Sequence, residues 1–308
     1  MDHIKKIHVI QKSSGKTQTE LAQVLGVSFK TFNSWVNGKS IPRKRALENI
    51  DALYFQYVGD INIDESVLVE KRERLEESQR QYKDPFKQIM SRKDLYNIFL
   101  LEMTYHTNSI EGSTFNEPEV RAVLFDDVTI PNKTVLEHQE VKNHQGALAF
   151  VMRWIRDEDG NITELFIKRI HEILMNSILH NAGQYRTHNV RIAGANVATS
   201  NPLKINKHMG ELIKELNNPT KDIVTHIAQT HAKFERIHPF SNGNGRVGRL
   251  LMLTTAFKNN LAPVLVKKEK KTAYYNYLQE AQTQENYIPL ISFIYDGILS
   301  GYELLKEE

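Results

Sequence analysis

The sequence predicts an all-α protein with one short β-hairpin, in which a small basic helical head precedes a larger helical body. Three observations carry this. Apolar residues recur at helical spacing over most of the 308 residues. One segment, YRTHNVRIAGANVATSNP, breaks that rhythm by alternating about a Gly-containing turn. The charge is uneven: residues 1–50 hold nine Lys/Arg against three Asp/Glu, while the whole chain is only +3, so the remainder is mildly acidic. A basic head on an acidic body points to a polyanion as the head's partner.

Residues 1–58 read as the head. In TQTELAQVLGVSFKTFNSWVNGKSIP, Leu21, Ala22 and Leu25 share one face of a first helix. Gly26 supplies a turn with positive φ, and Ser28 can cap a second helix. Phe32, Trp35 and Val36 return that helix's apolar face to the core. Over about Thr17–Pro42 the pattern resembles the helix-turn-helix of the Xre/Cro-like repressor family. The resemblance implies a DNA-binding domain whose second helix enters the major groove. Ser28, Lys30, Asn33 and Ser34 would then face bases or phosphates, and Phe29 a thymine methyl. Lys39, Arg43, Lys44 and Arg45 would hold backbone phosphate. DNA is thus the expected partner of residues 17–45. A helical pair that binds a protein is the competing reading. Heads of this type often pair, so a homodimer is a fold-level expectation.

Residues 59–90 read as a charged helical linker: VEKRERLEESQRQYK alternates in sign and lacks a broad apolar face. The body, residues 91–308, begins with SRKDLYNIFLLEMTYHTNSI. Ser91 is the expected N-cap, and Leu95, Ile98, Phe99, Leu101 and Met103 the buried side. Helical spacing continues through VLEHQEVKNHQGALAFVMRWI, ITELFIKRIHEILMNSIL, DIVTHIAQTHAKFERI and RVGRLLMLTTAFKNN. The hairpin between them, marginal by itself, reads as a surface device with an edge open to another chain.

The chain has no cysteine, which excludes disulfides, thiolate metal sites and cysteine nucleophiles and is compatible with the cytoplasm. No apolar run is long enough to span a membrane, and the N-terminus reads as having no signal peptide. His226, His231 and His238 lack the i, i+4 spacing of a helical zinc pair.

The densest chemistry lies in HPFSNGNGRVGR, His238 to Arg249. A glycine loop leading into a helix presents backbone N–H groups to an anion, and Gly243 and Gly245 permit close approach. Arg246 falls in the first turn, where it can fork onto phosphate oxygens. Arg249, three residues on, shares nearly the same face. Pro239 stops the helix that His238 ends, which holds a neutral imidazole beside the nest, able to take a proton from a hydroxyl. Phe240 would anchor the loop in the core.

His238-Pro-Phe-x-x-Gly-Asn-Gly-Arg-x-x-Arg249 resembles the signature of the Fic domain family. The resemblance covers roughly residues 91–308: an inhibitory helix (about 91–112), a core (about 113–265) and C-terminal helices (about 266–308). It implies the all-helical Fic fold with a hairpin flap. It also implies a protein AMP transferase that uses ATP and Mg²⁺ or Mn²⁺ to modify a Ser, Thr or Tyr hydroxyl of a target protein. By position, His238 would be the general base, and Gly243, Asn244 and Gly245 the anion hole. Arg246 would bind phosphate, and Arg249 would meet the γ-phosphate. The flap would be Arg191, Ile192, Ala193, Gly194, Ala195, Asn196, Val197 and Ala198, registering the target as an added strand. One position departs: Asn242 stands where the family usually has a metal-binding Asp or Glu, and an amide oxygen is a weaker Mg²⁺ ligand.

Upstream, Thr107-Asn-Ser-Ile-Glu111-Gly112 resembles the family's inhibitory motif. The resemblance implies that Glu111 pairs with Arg249 and fills the γ-phosphate region. Two other functions compete with a self-inhibited transferase: a DNA-binding regulator whose Fic domain senses nucleotide without efficient catalysis, and an enzyme that removes AMP.

Overall fold

The computed structural model describes residues 2–157, 160–192 and 197–306. Four helices make the head: α1 (His3–Ser14), α2 (Gln18–Val24), α3 (Phe29–Val36) and α4 (Lys44–Val58). Its boundaries follow from local chemistry. Thr17 and Glu20 form a reciprocal capping box at the start of α2. Gly26 takes a positive φ of 67° between α2 and α3, and the Ser28 side chain accepts from the Thr31 N–H to start α3. Ile7, Ile10, Leu21, Ala22, Phe32, Trp35, Ile50, Leu53 and Tyr57 bury a core of their own.

Eleven further α-helices follow among the described residues: α5 (Glu65–Gln81), α6 (Pro85–Ser91), α7 (Lys93–Glu111), α8 (Glu117–Phe125), α9 (Val135–Asp157), α10 (Glu164–Leu174), α11 (Ile205–Leu216), α12 (Ile223–Ile237), α13 (Asn244–Lys258), α14 (Lys271–Thr283) and α15 (Ile288–Leu304). α13 is the axis of the body. It is buried on every side, and α7, α9, α10 and α12 pack around it. The loop leading into α13 is therefore held by the whole core. None of these helices is long and apolar enough to cross a membrane.

The segment read as a charged helical linker holds α5 and α6, and its helix packs on the body. α5 lies along α15, burying Leu75 and partly burying Leu68. Its cations tie it down: Lys71 reaches Asp296 at 2.6 Å and the Ser292 hydroxyl at 2.8 Å, and Arg72 reaches Asp222 at 3.2 Å. The head is docked as well. Asn276 Nδ2 donates to the Val58 carbonyl, and the Asp60 N–H donates to the Tyr277 hydroxyl, both at 2.9 Å. Gly59, at φ 87° and ψ 155°, lies against the Tyr277 ring.

Three expectations are corrected. Ser91 does not cap α7; it is the last residue of α6. Arg92 takes an extended conformation between the helices and starts α7 with no side-chain cap. Ile98 is only half-buried, because Leu100 takes the inward place beside Phe99 and Leu101. The hairpin is not seen as strands: no strand occurs among the described residues. Arg191, Ile192, Val197 and Ala198 lie on two irregular arms, joined where Thr199 Oγ1 donates to the Val190 carbonyl at 2.9 Å. Its tip, Ala193, Gly194, Ala195 and Asn196, lies outside the described residues.

Candidate active site

α12 ends at Ile237, and His238 turns into the left-handed region at φ 50° and ψ 60°. Pro239 then makes continuation impossible. The turn is braced by Arg186, a buried side chain that no motif flagged. Its guanidinium donates to the carbonyls of His238 (2.7 Å), His188 (2.6 Å), Ser200 (2.7 Å) and Ile237 (3.3 Å). The Arg186 N–H donates to the Pro239 carbonyl. The two irregular arms are thereby anchored to the His238 corner. His238 Nδ1 is 3.1 Å from the backbone carbonyl of Glu235. A carbonyl only accepts, so Nδ1 carries the proton and Nε2 keeps its lone pair. Burial lowers the affinity of His238 for a second proton; Arg186 lowers it too, while the Glu235 carbonyl and Glu111 oppose. The imidazole is neutral, and its side chain is 17% exposed.

The following loop is locked from within. Phe240 is fully buried; its N–H donates to Asn244 Oδ1 and its carbonyl accepts from Asn244 Nδ2, each at 2.9 Å. His171 lies flat on the Phe240 ring, with centroids 3.8 Å apart. The Gly183 N–H donates to His171 Nδ1 at 2.8 Å, so the proton is on Nε2, which donates to the Asn242 carbonyl at 3.0 Å. Gly243 opens α13 at φ 76°, and a Cβ there would lie 2.6 Å from Met175. The Asn242 side-chain oxygen accepts from the Gly243 N–H at 2.7 Å.

Beyond the loop the first turn of α13 presents backbone N–H groups without intrahelical acceptors. Arg246 and Arg249 stand on the same side, both buried. Arg246 Nη1 bonds Glu140 at 2.9 Å, and its Nε has no partner. Arg249 Nε donates to Thr107 Oγ1 at 2.7 Å and Nη2 to Glu111 Oε1 at 2.5 Å, while Nη1 has no partner. Glu111 is the last residue of α7, which ends in left-handed Gly112. Its side chain is 23% exposed. Burial pushes its carboxyl up, but Arg249, with Arg246 and Lys271 adding, outweighs this and holds it below the ordinary glutamate range. A Cβ on Gly245 would lie 2.5 Å from Glu111 Oε1, so that glycine is what lets the carboxylate approach the helix start. Around the arginines, His144 is pushed down to about 3 by burial and by the charges of Arg246 and Arg249.

Glu111, Gly245 and Arg249 therefore meet in direct contact at the start of α13, where Gly243, Asn244 and Arg246 also lie, and His238, at the other end of the loop, is within electrostatic reach of Glu111. Sequence reasoning missed His171, Arg186, Glu140 and Glu235, each brought there by a different helix or loop. The donor set suits a protein-built metal site poorly. Asn242 is neutral with its oxygen engaged, and no cluster of three or more His, Cys, Asp or Glu ligands occurs among the described residues.

The loop and the helices that hold it match a known domain. Residues 161–256 match the Fic/DOC family. Curated relatives agree with it: the chain is 31% identical over 194 residues to the protein adenylyltransferase Fic of Nematostella vectensis, covering 62% of this chain and 45% of that protein. It is 28% identical over 200 residues to the Aedes aegypti enzyme of the same name, covering 64% and 40%. The chain thus spans less than half the length of these relatives. Among solved structures, the Fic/DOC fold is shared with a Fic-domain signaling protein of Bacteroides thetaiotaomicron (TM-score 0.65, 21% identity, 74% of this chain and 97% of that one). It is shared also with Fic-1 residues 134–508 of Caenorhabditis elegans (TM-score 0.63, 20% identity, 98% and 96%). The Fic/DOC match begins after α9, so α7 with Glu111 lies outside it.

In the head, Ser28, Phe29, Lys30 and Lys39 are exposed, Phe29 at 51%. Asn33 and Ser34 are half-buried and already engaged: Asn33 Nδ2 donates to Gln18 at 3.0 Å, and the Ser34 and Ser40 hydroxyls bond at 2.7 Å.

Proposed function

We propose that this chain transfers AMP from ATP to a Ser, Thr or Tyr hydroxyl of a target protein, that Glu111 restrains it, and that its head binds DNA. One observation carries the transferase reading: two buried arginines keep Nε of Arg246 and Nη1 of Arg249 without acceptors beside the glycine-opened start of α13. Buried guanidinium donors facing a helix N-terminus suit the oxygens of a polyphosphate. His238 stands next to them with its Nε2 lone pair available. In the reaction, the target hydroxyl gives its proton to Nε2, its oxygen bonds the α-phosphorus, and the α–β phosphoanhydride bond breaks to release pyrophosphate. A divalent ion, Mg²⁺ or Mn²⁺, would arrive with the nucleotide, since Asn242 offers no carboxylate. Relatives with the name protein adenylyltransferase support the same chemistry.

The restraint rests on the 2.5 Å pair between Glu111 and Arg249. With the carboxylate there, Nη2 of Arg249 is taken and a terminal phosphate cannot reach it, while Nη1 stays open. The DNA reading rests on the exposed cations Lys30, Lys39, Arg43, Lys44 and Arg45 beside a capped second helix.

A second reading draws on Asn242, whose oxygen is engaged by Gly243: a DNA-binding regulator that senses nucleotide with little turnover. Transfer of label from α-labelled ATP to protein, with Mg²⁺ or Mn²⁺, separates the two. Label on Glu111→Gly that disappears in Glu111→Gly/His238→Ala supports the restrained transferase. ATP binding without label in either chain, with a cell lysate offered as substrate, favours the sensor.

A further inference from the structure

Glu235 lies one turn before His238 on α12, in the same enclosure. Its side chain is 10% exposed and its Oε2 is 3.9 Å from His238 Nδ1. Its Oε1 has no hydrogen-bond partner. Across from it is Gly248 of α13, where a Cβ would lie 2.5 Å from Glu235 Oε1 and 3.2 Å from His231 Nδ1. The bare glycine makes room for both polar groups. His231 Nδ1 is also buried without a partner, while its Nε2 bonds the Tyr274 hydroxyl at 2.7 Å. The titratable and charged groups that face this carboxyl are Arg249 of α13, Glu111 of α7, Tyr274 and Tyr275 of α14, and His231 and His238 of its own helix and its cap.

A buried carboxyl with one unpartnered oxygen lowers stability, and an apolar residue of similar size would pack there without that loss. Groups retained against such a cost concentrate at functional sites. We propose that Glu235 is a positioning residue for His238, its carboxyl backing the Nδ1 edge of the imidazole and setting the strength of Nε2 as a base. This deepens the AMP-transfer reading and depends on it for the role of His238. Burial pushes the Glu235 carboxyl up to about 8, with Arg249 opposing and Glu111 adding. Near neutrality it is mostly protonated, and the imidazole beside it stays neutral and able to accept a proton. As pH rises through about 8, a carboxylate forms at the Nδ1 edge. It favours the imidazolium that arises when the target hydroxyl proton reaches Nε2.

The test uses the full chain carrying Glu111→Gly, with and without Glu235→Gln. kcat and KM for ATP are measured from about pH 6 to about pH 9.5, and the His238 imidazole is titrated by ¹⁵N NMR over the same range. We expect KM for ATP to stay within about twofold, because no phosphate-binding group is altered. kcat should rise several-fold through about pH 8 with Glu235 and stay flat there with Gln. The imidazole should show a second inflection near 8 that Glu235→Gln abolishes. Superimposable imidazole titrations in the two chains overturn the proposal, and so do parallel kcat profiles. Absence of transfer in both chains would defeat the AMP-transfer reading, while the imidazole titration, which needs no turnover, still decides for or against Glu235. If Glu235→Gln does not fold, Glu235→Met takes its place in both measurements.

Discussion

His171 and Phe240 lie face to face with ring planes only 3° apart, and that stack joins α10 to the loop before α13. The imidazole also bonds Gly183 and Asn242, so three segments meet on one side chain.

Replacing His171 with Ala removes the stack and both hydrogen bonds. The expected loss of stability is about 2–4 kcal/mol, read from the denaturant midpoint. AMP transfer by Glu111→Gly should fall roughly tenfold or more, because the loop behind the anion site loosens. Burial holds His171 at about 4, below its usual value. A depressed histidine contributes stability above the unfolded value near 6.5 and loses it as pH falls through about 4. His171→Ala should therefore flatten part of the acid limb of the stability curve.

Glu111→Gln keeps the shape of the side chain that pairs with Arg249 and removes its charge. Arg249 is then left in its buried place without an anion, so the apo protein should lose about 1–3 kcal/mol. ATP should restore that loss. The rise in melting temperature on adding ATP is expected to be larger for Glu111→Gln than for wild type; equal rises would show that Arg249 does not meet the nucleotide.

Gly59 sits at a φ and ψ that only glycine adopts without strain. A Cβ there would also lie 2.5 Å from the Tyr277 ring. Gly59→Ala should cost about 1–3 kcal/mol. Because this strain falls where the head meets α14, the head should become protease-sensitive before the body does.

Glu235 makes stability fall with rising pH. Its folded value near 8 exceeds the ordinary 4.5, so the folded state binds the extra proton between those values. The stabilisation is complete below the unfolded value and is lost as pH rises through about 8. Glu235→Gln should exceed wild type in stability by about 2–4 kcal/mol near pH 9 and by little near pH 4.

DNA binding by the full chain should weaken steeply with salt. Replacing Lys30, Lys39 and Arg43 together with Gln should reduce the log–log salt slope by about 0.9 for each phosphate that these side chains neutralise. An unchanged slope in a fluorescence-anisotropy titration would remove these residues from the DNA interface.

What the sequence made legible was local. His238 to Arg249 can be read because a loop and one helix carry their spacing in the chain itself. Gly26, Ser28 and Gly112 announced their turns for the same reason. Arg186 and His171 stayed hidden because most of their partners are backbone carbonyls and amides a dozen or more residues away, which leave no mark on residue type. Glu235 looked like any charged residue on a helix. Its burial is created by α13 and by the bare Gly248. The 59–90 segment reads as a charged helical linker because its helix grips α15 with Lys71 and Arg72 as much as with Leu68 and Leu75, so its apolar stripe is thin. The alternating arms around residue 194 suggested strands, yet alternation fixes only which side a residue faces and supplies no partner edge.

The clasp of α5 by α15 has a consequence for biosynthesis. Residues 65–81 wait for residues 288–304, so the body's core closes only after more than two hundred intervening residues have left the ribosome. The head needs nothing beyond α4 to assemble its own core. A nascent chain can thus display a finished head while the helices that hold the His238 loop are still unassembled, and the order of synthesis gives the first four helices a head start over the rest.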